Sequence, residues 1–291
     1  MAETLAGTRF DPELAVENLP KPVLVELWQR TAAAHGHLFG LWREAVEARF
    51  GEQVTSELVT EVAPKLAAGA DLREIFFDDL NMMAGVARSM PGMLTVAEYQ
   101  DEVFSGPVTS EPDLEALSTR ALALLWNVTA LAYMFVTNRW YEAVAGRFDE
   151  AAARVLEKEV WLDRGAAEDD LRIGLEAARA SGGDVETLLK GFQLAPGEVG
   201  LLEVDFELQS PDHGWLIHRR CPAWDRFGNH DPARREHSCV ICVIGMRVSG
   251  EMIAPRIRCR PASLPPHREP RDHACKWEYW LEVGDEGPGA G

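Results

Sequence analysis

The chain has 291 residues, of which 46% are hydrophobic and 26% charged, a composition typical of a globular protein with a substantial core. Its formal net charge of −18 argues against nucleic acid as a partner, because few cations remain to replace phosphate counterions. The most apolar stretch, residues 121–136, contains Asn127 and Thr129 and is too short to span a bilayer, so we expect a buried helix there and no membrane partner.

Cysteine usage and the first residues bear on the cellular compartment. The chain has five cysteines, an odd number that does not suit a framework of disulfides. Its opening sequence, MAETLAGTRF, lacks the basic and apolar segments of a secretory signal. The sequence therefore predicts a cytoplasmic protein with reduced thiols, and it gives no indication of the oligomeric state.

Residues 27–62 repeat as residues 125–160, at an offset of 98 residues. The matching pairs include Trp28 and Trp126, Thr31 and Thr129, Trp42 and Trp140, Arg49-Phe50 and Arg147-Phe148, and Glu61-Val62 and Glu159-Val160. So many identities at one offset predict a duplicated helical hairpin.

Each copy of the repeat has apolar residues at three- and four-residue steps, the spacing of a helix that buries one face. His35 lies on the stripe of the first copy, where the second copy has Tyr133. A shorter helix is expected after each long one. We divide this part of the chain into an N-terminal helical repeat, residues 1–110, and a second helical repeat, residues 111–196.

The pattern changes from helix to strand after residue 196. Residues 202–208 alternate between apolar and acidic side chains, residues 210–214 form a turn, and a returning strand is expected over residues 215–221. A second alternation covers residues 275–283. The expected fold class is therefore α+β, with duplicated helical hairpins followed by a small, mainly antiparallel sheet domain. This cysteine-rich domain occupies residues 197–284, and a flexible tail, residues 285–291, follows it.

All five cysteines fall in this last domain, and residues 1–212 contain none. Cys221, Cys259 and Cys275 lie at the ends of predicted extended segments, where antiparallel neighbours meet, whereas Cys239 and Cys242 form a single CxxC pair. Four converging thiolates would hold zinc or an iron–sulfur cluster. We predict such a site from these five residues, with either Cys239 or Cys242 as a spectator. A catalytic thiol without metal and inert buried cysteines are the alternatives.

Charge and polar residues suggest a ligand. Residues 213–282 contain 12 Lys and Arg against 8 Asp and Glu, a surplus of four positive charges, which favours a small anionic molecule as partner. Arg226, Arg256 and Arg258 are candidates for binding a carboxylate, although arginines that only solvate a sheet surface fit equally well. His35 and Tyr133 are catalytic candidates, and a hydrogen-bonded core histidine is the alternative for His35.

Four other histidines, in proline- and arginine-rich segments, are predicted to be solvated at the surface. They are His230, His237, His267 and His273.

The cysteine region resembles a largely uncharacterised bacterial family. The resemblance rests on three segments: Ile253-Ala254-Pro255-Arg256-Ile257-Arg258-Cys259, Leu264-Pro265-Pro266-His267 and Ala274-Cys275-Lys276-Trp277-Glu278. Family members pair a helical hairpin rich in Trp, Phe and Glu with a C-terminal cysteine domain, and related members carry the description L-2-amino-thiazoline-4-carboxylic acid hydrolase. The resemblance covers residues 115–282. It implies a metal- or cluster-binding cysteine set, with a domain that opens at Cys221 and Arg226; the CxxC pair departs from the single cysteine of that family.

Three possible functions follow from these patterns. The first is a metal- or iron–sulfur-dependent enzyme that hydrolyses a small anionic substrate, by ring opening of an amidine or thiazoline. The alternative is a non-catalytic ligand-binding or redox module with a structural or sensing site of four cysteines. The third possibility is a zinc ion that only stabilises the small sheet, with the function located in a pocket between the hairpins.

Overall fold

Helices form the first part of the fold and a four-stranded sheet follows, so the predicted α+β class is confirmed. The structure is a computed structural model that describes residues 10–89, 100–199, 203–221, 231–267 and 272–282. The helices of these ranges are α1 (Lys21–Phe50), α2 (Glu52–Val62), α3 (Pro64–Ala67), α4 (Leu72–Ser89), α5 (Gln100–Phe104), α6 (Thr119–Arg147), α7 (Glu150–Lys158), α8 (Ala166–Ala178), α9 (Val185–Phe192), α10 (Pro196–Val199) and α11 (Pro232–Ile253). A 3₁₀ turn covers Val16–Asn18, and a π-helical turn, Glu159–Asp163, extends α7.

The two long helices α1 and α6 pack against each other and begin and end at residues suited to helix termini. Pro22 occupies the first turn of α1, where its missing N–H is not needed, and the helix ends at Gly51 with a φ of 85°. Ser118 caps α6 by accepting a hydrogen bond from the backbone N–H of Ala121.

Matching positions of the two predicted copies meet across this interface. The rings of Trp42 and Trp140 stack with centroids 6.5 Å apart, and those of Phe50 and Phe148 with centroids 4.0 Å apart. These contacts follow the same order along both helices, so α1 and α6 run parallel. Each long helix is also followed by a shorter one, α2 or α7. This arrangement is the one expected of two hairpin copies, and the duplication itself stays a prediction.

Helix α6 is longer than the apolar stretch predicted from the sequence. With 29 residues it is the one helix among the described ranges that is long and apolar enough to cross a bilayer, judged by length and composition alone. Within its most apolar segment, however, 78% of the residues are buried inside the protein. Contacts with other helices therefore account for its apolar character, as expected for a core helix.

The hydrophobic cores cross both predicted domain boundaries. Two cores join residues of α1 with residues of α6, so the two helical repeats bury a common interior. A third core packs Leu171 of α8 and Leu188 of α9 against Trp277 and Tyr279 of the sheet. The boundaries at residues 110 and 196 stay predictions, but the interiors on either side of them are shared.

The sheet is antiparallel throughout, with strand order β1-β2-β4-β3. Its buried face carries alternate residues, including Phe206, Leu216 and Trp277, and α9 and α11 pack on the same core. The strands are β1 (Val204–Ser210), β2 (His213–His218), β3 (Ile257–Ser263) and β4 (Cys275–Leu281).

Helix α11, which carries the CxxC pair, was not predicted from the sequence. Asp231 caps it by accepting a hydrogen bond from the N–H of Arg234, and Pro232 occupies the first turn. Gly250 lets the helix approach the sheet, since a Cβ atom there would lie 2.9 Å from Ile257 Cγ2. The helix therefore brings Cys239 and Cys242 to the sheet domain.

Candidate active site

A buried thiol, imidazole and carboxylate form a hydrogen-bonded line at one end of the sheet. His218, the last residue of β2, is directly opposite Cys275, the first residue of β4. His218 Nδ1 lies 3.0 Å from Cys275 Sγ, and His218 Nε2 lies 2.7 Å from Glu198 Oε2. All three residues are buried, with exposed fractions of 4 to 7%. The arrangement matches a nucleophile, a base and a group that orients the base.

Strand register places the thiol and the imidazole side by side. His218 and Cys275 are cross-strand partners and therefore point to the same face of the sheet, toward the core that Trp277 also fills. Glu198 comes from α10, a single turn that contacts α6 and α8. The triad is thus assembled where the helical body meets the sheet.

The charge state of His218 is set by two opposing effects. Burial lowers its pKa, but the Glu198 charge and the hydrogen bonds with Cys275 and Glu198 outweigh burial and raise the pKa from 6.5 to about 10. The imidazolium is therefore the form present at neutral pH. Because the folded-state pKa is the higher one, the stability that this proton contributes is fully present below about pH 6.5 and is lost as the pH rises toward 10.

Two further cysteines extend the site toward the surface. Cys221 follows β2 by three residues and is half-buried, whereas Cys242 is exposed on α11. Although Cys242 is exposed as a residue, the surrounding protein desolvates its thiol and raises the pKa of that thiol well above the usual value. The charges of Cys221, Cys275 and Glu198 raise this pKa further. These groups therefore lie within electrostatic range of one another. Cys242 of the CxxC pair thus lies within electrostatic range of two triad members, Cys275 and Glu198.

Cys259 does not join this group, contrary to the expected convergence of strand ends. It lies inside β3, opposite Tyr279, on the same face of the sheet as Cys275. Tyr279 is four residues along β4 from Cys275, which at about 3.3 Å per residue is about 13 Å. Burial raises the pKa of Cys259 to about 12, against a smaller opposing effect of its hydrogen bond with Tyr279. Cys259 is therefore too distant to share one metal ion with Cys275.

The predicted catalytic residue His35 lies in the helical core instead. Its Nε2 is 2.8 Å from Asp79 Oδ2, and Arg139 pairs with the other oxygen of that carboxylate. His35 is fully buried and its ring packs edge-on against Phe76. These contacts fit the alternative, a hydrogen-bonded core histidine, although Nδ1 of His35 has no hydrogen-bond partner among the described residues. The catalytic role of His35 stays a prediction.

Tyr133 is also buried, but it is closer to the triad. Burial, and then the charges of Asp170 and Asp169, raise its pKa well above the usual value. Asp170 in turn lies within electrostatic range of Glu198. Tyr133 therefore lies within electrostatic range of Asp170, and no hydrogen bond or ring contact joins it to Cys275 among the described residues.

The arginines predicted to bind a carboxylate lie away from the thiol or outside the described residues. Arg258 projects from the face of β3 opposite to that of Cys259 and pairs with Glu282 at 2.5 Å. Arg256 precedes β3 and is exposed. Arg226 lies outside the described residues. The position of Arg258 fits the alternative of an arginine that solvates the sheet surface, and its role in binding a carboxylate stays a prediction.

The predicted surface histidines have varied positions. His237 lies in α11 and is partly buried, with its Nε2 2.8 Å from the buried carboxylate of Glu157, so it does not have the predicted solvated surface position. His267 Nε2 is 2.8 Å from the carbonyl oxygen of Ala274, in a partly buried setting. His273 pairs with the exposed Asp272, and His230 lies outside the described residues.

Sequence reasoning missed two of the three triad members. His218 could have been found, because the alternation of β2 places it on the same face as Leu216 and the register then pairs it with Cys275. Glu198 had no comparable signal, since it lies in one isolated turn.

Within the described ranges, no three His, Cys, Asp or Glu side chains are grouped so that they could hold a metal ion. Comparison with known proteins finds no matching family model, no similar curated protein and no similar solved structure.

Proposed function

We propose that this protein is a thiol-dependent hydrolase that cleaves a carbon–nitrogen bond of a small molecule, with Cys275 as its nucleophile. The observation that carries the proposal is the line of contacts from Cys275 through His218 to Glu198. A buried imidazolium that donates a hydrogen bond to sulfur favours the thiolate, which is the reactive form of cysteine. Glu198 holds the ring in the orientation that directs Nδ1 to the sulfur.

The same three groups account for both halves of a hydrolysis. The Cys275 thiolate attacks the substrate carbon, and the electrons of its double bond move to the attached oxygen or nitrogen. When that bond re-forms, the carbon–nitrogen single bond breaks and the leaving nitrogen takes the Nδ1 proton of His218. Neutral His218 then removes a proton from water, whose oxygen replaces the sulfur and restores the thiolate and imidazolium. One water is consumed in each cycle.

The resemblance to proteins described as L-2-amino-thiazoline-4-carboxylic acid hydrolase suggests the first substrate to test. In the imino tautomer of that compound the electrophilic amidine carbon carries an exocyclic carbon–nitrogen double bond and a carbon–nitrogen single bond within the ring, so the proposed attack and carbon–nitrogen cleavage would open the ring. The compound also carries a carboxylate, in keeping with the small anionic partner predicted from local charge. Reduced thiols suit the proposed cytoplasmic location, where catalytic cysteines remain active.

The proposal predicts selective alkylation of Cys275 by iodoacetamide. At neutral pH we expect Cys275 to react at least about tenfold faster than Cys259, because His218 supports the thiolate of Cys275 whereas burial raises the pKa of Cys259 to about 12. Mass spectrometry of the separate cysteine peptides measures both rates in one sample. Ring opening of L-2-amino-thiazoline-4-carboxylate should be lost in Cys275→Ser and retained in Cys259→Ser. Equal alkylation of the two cysteines would rule out an activated Cys275.

A zinc or iron–sulfur site is the second candidate function. It is favoured by the position of Cys242 within electrostatic range of Cys221 and Cys239, where a bound cation would offset the repulsion between thiolates. Zinc takes three protein ligands at catalytic sites and there lowers the pKa of bound water, and cysteine is a residue type that it prefers. The described residues do not group three such side chains around one point, so a bound ion would have to draw these three cysteines together.

Metal analysis of protein purified without oxygen tests this candidate. If it is correct, Cys221→Ser and Cys242→Ser should each lower the zinc or iron content at least about tenfold, because removing one ligand of a site with few ligands greatly weakens binding. Cys259→Ser is the matched control and should retain the metal, since Cys259 lies about 13 Å along the sheet from Cys275. Metal loss in the control alone, or no metal in any of the proteins, would contradict the candidate.

A further inference from the structure

Asp170 connects the triad to the helical body. It is buried on α8, and its Oδ1 accepts a hydrogen bond from the backbone N–H of Gly197 at 2.8 Å. A Cβ atom at position 197 would lie 2.8 Å from Asp170 Oδ2, so glycine permits this close approach. Gly197 immediately precedes Glu198, and α10 has only four residues. The hydrogen bond therefore fixes the turn that carries the triad carboxylate.

We infer that Asp170 is a positioning residue for the Cys275–His218–Glu198 triad and that its negative charge strengthens the pairing of thiolate and imidazolium. The inference rests on the proposed function. Glu198 contacts the Nε2 side of the His218 ring, whereas the sulfur lies on the Nδ1 side. A charge on the Glu198 side is therefore nearer to the imidazolium than to the thiolate, and its net effect favours the charged pair.

The groups around Asp170 determine the pH range in which its charge changes. Burial raises its pKa, the hydrogen bond from Gly197 lowers it, and the charges of Glu198 and Asp169 raise it further, giving a value of about 7. Tyr133 also faces Asp170, from α6, and its own raised pKa keeps it neutral in this range. Asp170 is therefore mainly protonated in mildly acidic solution and mainly ionised in mildly alkaline solution.

The test measures alkylation of Cys275 by iodoacetamide in the full chain, at about pH 5.5 and about pH 8.5. Asp170→Asn keeps an oxygen that accepts the Gly197 hydrogen bond but cannot ionise. We expect this variant to match the wild type at the acidic pH and to react about three- to tenfold more slowly at the alkaline pH. Asp170→Ala, which lacks the acceptor, should react more slowly at both pH values, with circular dichroism as the control for folding.

Two results would overturn the inference. One is an Asp170→Asn rate equal to that of the wild type at both pH values, and the other is the same loss at both values in Asp170→Asn and Asp170→Ala. The second pattern describes a residue that only maintains the fold. Failure of the proposed function itself would look different, because wild-type Cys275 would then react no faster than Cys259. If Asp170→Ala does not fold, the comparison of Asp170→Asn with the wild type still decides the question.

Discussion

Replacing His218 with alanine is expected to lower the alkylation rate of Cys275 at least about tenfold at pH 7, because the variant lacks the imidazolium that donates a hydrogen bond to the sulfur and so favours the thiolate. In the wild type the imidazolium persists until the pH approaches 10, so its hydrogen bond to the sulfur should be present across the neutral range and the rate should depend less on pH than in the variant. In His218→Ala the rate should rise about tenfold per pH unit up to about pH 8.5, as for a free thiol. Peptide-resolved mass spectrometry measures the two profiles.

His213→Ala is the matched control, because His213 lies on the same strand but faces the other side of the sheet. Its Nε2 pairs with Glu278 at 3.0 Å, away from the thiol. The control should keep the wild-type profile of Cys275. Removal of His218 also leaves the Glu198 charge buried without its partner, which destabilises the fold. Glu198→Gln, which removes that charge, provides a second variant: it should slow the reaction without leaving a buried carboxylate. Wild-type rates in both triad variants would exclude the proposed role of His218.

Asp79→Ala is expected to lower the free energy of unfolding by about 3–5 kcal/mol. Asp79 is 1% exposed and pairs with both His35 and Arg139 in the helical core. Without the carboxylate, the Arg139 charge loses its partner and His35 Nε2 becomes a buried polar atom with no hydrogen bond. Denaturation by urea, followed by circular dichroism, measures the change.

The neighbouring residue Asp78 provides the control for this prediction. It lies on the same helix, is exposed, and pairs with Lys65 at 2.7 Å. Asp78→Ala should change the free energy of unfolding by about 1 kcal/mol or less, because an exposed ion pair is weakened by solvent. Similar losses in both variants would show that the buried charge network contributes no more than a surface pair. Neither change should affect activity as long as the protein is folded. The ion-pair partners that the structure shows for the two aspartates are His35, Arg139 and Lys65, and none of these is a member of the triad.

Local periodicity allowed much of the fold to be predicted. The apolar stripes of α1 and α6 recur at helical steps, and the alternation in β1, β2 and β4 is that of strands with one buried face. Helix α11 could not be predicted from periodicity, because only four of its 22 residues are buried and it therefore has no continuous apolar stripe. Strand β3 was predicted only in part, since Pro261 lies within it at the edge of the sheet.

By itself, the sequence determined the α+β class, the long helices and the region in which reactive thiols occur, because these depend on residue type and local spacing. Only the tertiary structure decided which thiol is a candidate nucleophile. Strand register placed Cys275 beside His218 and left Cys259 beside Tyr279, and helix packing brought Glu198 to the imidazole. A contact between residues 57 positions apart, such as that of His218 and Cys275, follows from pairing and burial across the whole sheet rather than from any local pattern.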